Sequence, residues 1–191
     1  MAIAAHNGRA SDGTPTNIDL TEANPTVWEF FRPFVEQHDA SVWTMRDFVP
    51  ESLEMDRVVV APPCIDPLSV KNLDLPETLV RALCRSYRID SQRPIMCQVS
   101  RFDPWKDPIG VIEAFRIVQE SVPDVQLVLA GSMATDDPEG FHYWNLAQEA
   151  RAGDPDIFLL SNIQQVGSVE INAFQRAADV VVQKSLREGF G

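Results

Sequence analysis

The side chains best able to do chemistry sit in two short segments, QVSRFDPWKD (98–107) and QKSLREGFG (183–191). The first carries a guanidinium, Arg101, and an ammonium, Lys106. The second carries Lys184, Arg187, Glu188, Gly189, Phe190 and Gly191. Such cations bind phosphates through charge-assisted hydrogen bonds, and glycines let the backbone approach closely enough to add N–H donors. If the two segments meet, Arg101, Lys106, Lys184 and Arg187 converge on one crevice, and an anion belongs there. The plainer possibility is that Arg101 pairs with Asp103, Lys106 with Asp107 and Arg187 with Glu188 on solvated loops, where such pairs contribute roughly 0–1 kcal/mol. Spacing alone leaves both readings open.

Whether the segments meet depends on the elements around them. Apolar strands are expected to begin near Ile95, Gln126, Ile157 and Val180, with helices near 108–122, 139–152 and 168–178 between them. That alternation is the pattern of βαβ units and a doubly wound parallel sheet, an α/β Rossmann-like architecture. In a strand order 3-2-1-4, ligands lie beyond the carboxyl ends of the strands, where the order reverses, and both segments then flank that crevice. A further helix from 77 places Leu79, Val80, Leu83, Cys84 and Tyr87 on one face. Upstream, Asn24 and Pro25 supply a helix cap and first-turn proline before Val27, Phe30, Phe31, Phe34 and Val35, spaced as one buried face. Strands are expected over 41–45 and 57–61. Residues 1–17 show no apolar period and read as a disordered or atypical lead-in, and the Pro-rich stretch 62–76 reads as an inter-domain linker. The sheet looks unfinished, four strands where about six are usual, so a fragment is expected.

Charge and composition exclude several classes. With 16 basic and 28 acidic residues the net charge is −12, which repels nucleic acid and anionic membrane surfaces. No apolar run or N-terminal signal pattern calls for a membrane span or export, so a cytoplasmic protein is expected. Cys64, Cys84 and Cys97 match no disulfide framework or metal knuckle and read as reduced thiols. Neither GxGxxG nor a P-loop occurs, which counts against a nicotinamide oxidoreductase. Asp136, Asp137, Pro138 and Glu139 fit a helix start better than a metal cluster. Asp154 and Asp156, with Pro155 between them, fit a turn. His142 is a weak candidate for a substrate contact, and no nucleophile has a matching base.

At these residues the chain resembles a known family. QVSRFDPWKD (98–107), VLAGSMATDDPEGF (128–141) and NAFQRAADVVVQKSLREGFG (172–191) are similar to the retaining GT-B glycosyltransferases of the glycogen-synthase-like kind, glycosyl transferases group 1. Within that group they look most like the trehalose synthases. IDLTEANPTVWEFFRPFVEQHD (18–39) and VVVAPPCIDPLSVKN (58–72) extend the resemblance, which covers about residues 18–191. It implies that 18–61 is the C-terminal part of an acceptor-side α/β domain and 77–191 a truncated nucleotide-sugar-binding domain. It further implies that Arg101 and Lys106 contact the donor diphosphate, and that Glu188 opens the family's Glu-x7-Glu motif and accepts hydrogen bonds from the donor sugar. Gly189, Phe190, Gly191, Lys184 and Gly131 complete the donor-binding set.

The implied reaction moves glucose from an NDP-glucose donor to glucose with retention, by front-face attack, without metal or cofactor. Trehalose phosphorylase, with phosphate in place of the nucleotide, and a non-catalytic nucleotide-sugar-binding remnant are the alternatives. Glucose or trehalose is expected as the sugar partner, and a homodimer as an open option. Because such enzymes work in a cleft between two domains, the chain by itself is expected to be inactive, and an uncovered apolar face to cause association.

Overall fold

The structure, a computed structural model, describes residues 2–5, 8–9, 15–16, 23–133 and 138–186. The chain divides into two compact units, the first running to Ile65 and the second spanning Asp66–Leu186. The division falls inside the Pro-rich stretch.

In the first unit a parallel three-stranded sheet is ordered β1 (Ala2–Ala5), β4 (Ala40–Trp43), β5 (Val58–Val60). A short antiparallel pair joins β2 (Gly8–Arg9) to β3 (Pro15–Thr16). These short strands fall within 1–17, the stretch that the sequence marks as a disordered or atypical lead-in. Four residues added to a sheet edge are too few to show a period.

Helix α1 (Ala23–Val35) starts one residue before Asn24, so Pro25 lies in the first turn, where its missing N–H costs nothing. The expectation of a buried Val27–Phe30–Phe31–Phe34–Val35 face fails for four of its five members. Val35 is buried, but Phe30 is 65% exposed, and Val27, Phe31 and Phe34 are also exposed. The helix docks instead through Trp28, whose ring meets Trp43 edge-on at 6.0 Å and whose Nε1–H donates to Ser52 Oγ at 2.8 Å. Periodicity says which residues share a face; it does not say whether a second layer faces them.

The second unit follows the expected pattern closely. Its parallel sheet is built from β6 (Ile95–Val99), β7 (Gln126–Gly131), β8 (Ile157–Ser161) and β9 (Val180–Val181), in the order β8-β7-β6-β9. The helices are α2 (Glu77–Ser86), α3 (Pro108–Ser121), α4 (Pro138–Arg151) and α5 (Ser168–Ala177). One apolar cluster packs Met96, Leu127, Leu129 and Ile157 against Val111, Ile112 and Phe115 of α3. The other packs Ile95, Cys97, Val128 and Ala130 against Val80 and Cys84 of α2 and Phe174 of α5. Neighbouring strand residues thus serve opposite faces, which is why these strands read as unbroken apolar runs. Leu79, placed on the buried face of α2 by its spacing, is exposed.

The end of the expected linker is tied to this unit. Asn172 Nδ2 donates to the carbonyls of Val70 and Leu73, both at 2.8 Å, and Arg176 pairs with Asp74 at 2.8 Å. Among the described residues no helix is long and apolar enough to cross a membrane.

Candidate functional site

The site begins where β6 ends. Ser100 N–H still bonds the Ala130 carbonyl at 3.0 Å, holding the strand ends together before the chain turns. Asp103 then caps a 3-10 turn over Pro104–Lys106, its Oδ1 accepting the Lys106 N–H at 3.0 Å. Asp107 follows in the left-handed region (φ 46°) and caps α3 through Gly110 N–H at 3.0 Å, with Pro108 in the first helical position. Two consecutive caps in ten residues therefore shape the loop that carries Arg101 and Lys106.

The segment after β9 comes to the same place. Val182 N–H donates to Cys97 O at 2.7 Å, extending the β6–β9 pairing, and Leu186 N–H donates to Trp105 O at 2.7 Å. The Lys184 ammonium pairs with Asp107 Oδ2. The two segments singled out in the sequence are thus joined at the point where strand order reverses. Gly110 makes room for this junction: an added Cβ would stand 2.2 Å from Asp107 Oδ2 and 2.7 Å from Lys184 Nζ.

The ion pairs differ in part from the simple sequence pairing. Arg101, 68% exposed at its side chain, does pair with Asp103, Nη2 to Oδ2 at 3.0 Å. Asp107 takes Lys184 instead of Lys106, because the left-handed turn aims its carboxylate back across the start of α3. Arg187, Glu188, Gly189, Phe190 and Gly191 lie outside the described residues, as do Asp136 and Asp137.

Beside these loops a cleft of about 280 Å³ opens at the carboxyl ends of β6, β7 and β8, lined by Ser100, Gly131, Ser132, Asn162, Gly167 and Lys71 among others. Gly131 is packed so tightly that an added Cβ would stand 1.8 Å from the Ser100 carbonyl oxygen. Asn162 closes the floor by a reciprocal pair with Met133, donating to its carbonyl at 3.1 Å and accepting its N–H at 2.7 Å. The structure brings Gly131 to this cleft; Arg101, Lys106 and Lys184 are not among its described lining residues.

Other sequence candidates have structural roles. Asp154 Oδ1 accepts Asp156 N–H at 2.9 Å and Oδ2 pairs with Arg116, while Asp156 pairs with Arg93 at 2.7 Å, so both acids serve the turn before β8. His142 is exposed on α4 against Tyr143. Among the described residues no group of three or more His, Cys, Asp or Glu could hold a metal ion. Asn162 and Gln98 were not singled out in the sequence. A polar residue inside or just after an otherwise apolar strand is the one signal that marks them.

The pattern of the family described as glycosyl transferases group 1 matches residues 81–191, more than half of the chain. The chain belongs to that family. This group 1 glycosyltransferase chain is 51% identical over 175 residues to the trehalose synthase of Rubrobacter xylanophilus, covering 92% of itself and 42% of that protein. To the trehalose synthase of Thermococcus litoralis it is 46% identical with the same coverage. The chain therefore spans 42% of the length of these relatives. Among solved structures, an α,α-trehalose-phosphate synthase (UDP-forming) from Burkholderia vietnamiensis superposes with a TM-score of 0.66 at 15% identity, covering 100% of this chain and 46% of that one. The architecture is that of the GT-B glycosyltransferases, with a partial Rossmann-like parallel sheet.

Proposed function

We propose that this chain supplies donor-side machinery of a retaining glucosyltransferase that transfers glucose from a nucleoside diphosphate glucose to free glucose, forming trehalose. The observation that carries the reading is the junction of the loops after β6 and β9, through Lys184–Asp107 and Leu186–Trp105, at the reversal of strand order. The names of the two bacterial and archaeal relatives, both trehalose synthases, supply the substrate class.

In this reading Arg101 and Lys106 receive the diphosphate. As the glycosidic bond lengthens, negative charge grows on the departing phosphate oxygen, and the two cations stabilise it more in the transition state than in the bound donor. Arg101 is exposed, so it can share its guanidinium between Asp103 and a phosphate at little cost. The family resemblance assigns Glu188 to the donor-sugar hydroxyls as a hydrogen-bond acceptor, and Gly189, Phe190 and Gly191 to the donor-binding set. The acceptor hydroxyl attacks from the face the phosphate leaves, giving up its proton to that phosphate, so configuration is retained without metal or redox chemistry. The cleft over Gly131 suits the nucleoside, since it adjoins the loop and tolerates no side chain at its floor.

Titration calorimetry with UDP-glucose and ADP-glucose tests the proposal. Saturable binding of at least one is expected, weakened about tenfold or more when Arg101 and Lys106 are both replaced by alanine, as fits the loss of charge-assisted bonds. A folded sample that binds neither donor overturns it.

A further inference from the structure

Gln98 is 1% exposed in a strand whose other buried members, Ile95, Met96 and Cys97, are apolar. A leucine or methionine would fill its space without a polar group to satisfy. Its amide is used in one direction only: Nε2 donates to the Lys106 carbonyl at 2.8 Å and to Ser100 Oγ at 3.1 Å, while Oε1 is buried without a hydrogen-bond partner. The Lys106 N–H is meanwhile held by Asp103 Oδ1 at 3.0 Å. Asp103 is itself buried, and its Oδ2 has no hydrogen bond beyond the ion-pair contact with Arg101.

Both backbone polar groups of Lys106 are therefore gripped by buried side chains from outside the 3-10 turn, one from β6 and one from the cap. A surface loop ordinarily leaves such groups to water. Leaving a buried acceptor orphaned on Gln98 is a cost, and costs of this kind persist where the surrounding geometry serves a function.

We infer that Gln98 is a positioning residue: with Asp103 it fixes the backbone of Lys106 and the course of the Ser100–Lys106 loop, so that the two cations are held ready for a diphosphate. This rests on the donor-site reading above. Gln98 touches no substrate; it acts through Lys106.

The test uses the chain with Gln98→Met, and Gln98→Leu if the first folds poorly, binding UDP and, separately, uridine. Affinity for UDP is expected to fall about tenfold with uridine affinity unchanged, as for outer-shell residues that orient a ligating group. In a Lys106→Ala background the Gln98 substitution should add little, because its target is already gone. Equal losses for UDP and uridine, additive effects, or unchanged UDP binding overturn the inference. If the unaltered chain binds no UDP, the donor-site reading has failed on its own account. Hydrogen exchange at the Lys106 amide then decides the clamp: faster exchange in Gln98→Met, with β6 and β7 amides unchanged, supports it, and unchanged exchange at Lys106 overturns it.

Discussion

At Gly131 the end of β7 runs so close to Ser100 that only a hydrogen fits, since the nearest backbone atom would be 1.8 Å from a Cβ. Gly131→Ala must push two strand ends apart, so urea unfolding should show a loss of about 1–3 kcal/mol, the usual cost of overpacking. Cys97 illustrates a second constraint. Burial pushes its thiol from 9.0 up to about 12, with the buried Cys84 thiol adding in the same direction. The folded state therefore holds this proton after the unfolded state has released it. The contribution to stability is full below pH 9 and is lost as pH rises from 9 toward 12, which urea midpoints at pH 8 and pH 10.5 would register as a fall. Iodoacetamide at pH 8 should modify exposed Cys64 in the native protein, and Cys84 and Cys97 only after denaturation. The chemistry-bearing residues Arg101, Lys106 and Lys184 were visible as types in the sequence. The partner of Arg101, Asp103 two residues on, was legible as well, but that of Lys184 was not: it meets Asp107 across 77 positions of chain, and no local pattern encodes that.

The elements of the second unit were legible almost to the residue. Strand starts at Ile95, Gln126, Ile157 and Val180 coincide with the expected ones. Strands buried on both faces are apolar at most positions, and their helices carry periodic stripes, so each signal is local and strong. Helix α1 shows the opposite case, since its phenylalanine stripe is regular and yet uncovered in the first unit. The clamp from α5 to the segment 70–74 was invisible for a different reason: Asn172 and Arg176 act on carbonyls about a hundred residues away. Asn172→Leu should leave the Val70 carbonyl without its donor and the Leu73 carbonyl with Arg176 alone, costing about 1–3 kcal/mol, and speed tryptic cleavage at Lys71 without melting α5.

For the molecule as a whole, the exposed Phe30, Phe31 and Phe34 form a contiguous aromatic surface, with Phe30 5.1 Å from Phe31 and 5.8 Å from Phe34. Surfaces of this kind associate, and the net charge of −12 opposes but does not cover them. Sedimentation velocity should show concentration-dependent association that Phe30→Glu with Phe34→Glu reduces. The sequence by itself determined the α/β class of residues 77–186, the strands that build its sheet, and the family, because those rest on local periodicity and on residues close together in the chain. Tertiary structure alone decided that Asp107 pairs with Lys184, which helix face is covered, and that a buried glutamine grips the loop bearing Lys106. Those depend on distances between segments far apart in sequence, and packing sets such distances only once the whole sheet has formed.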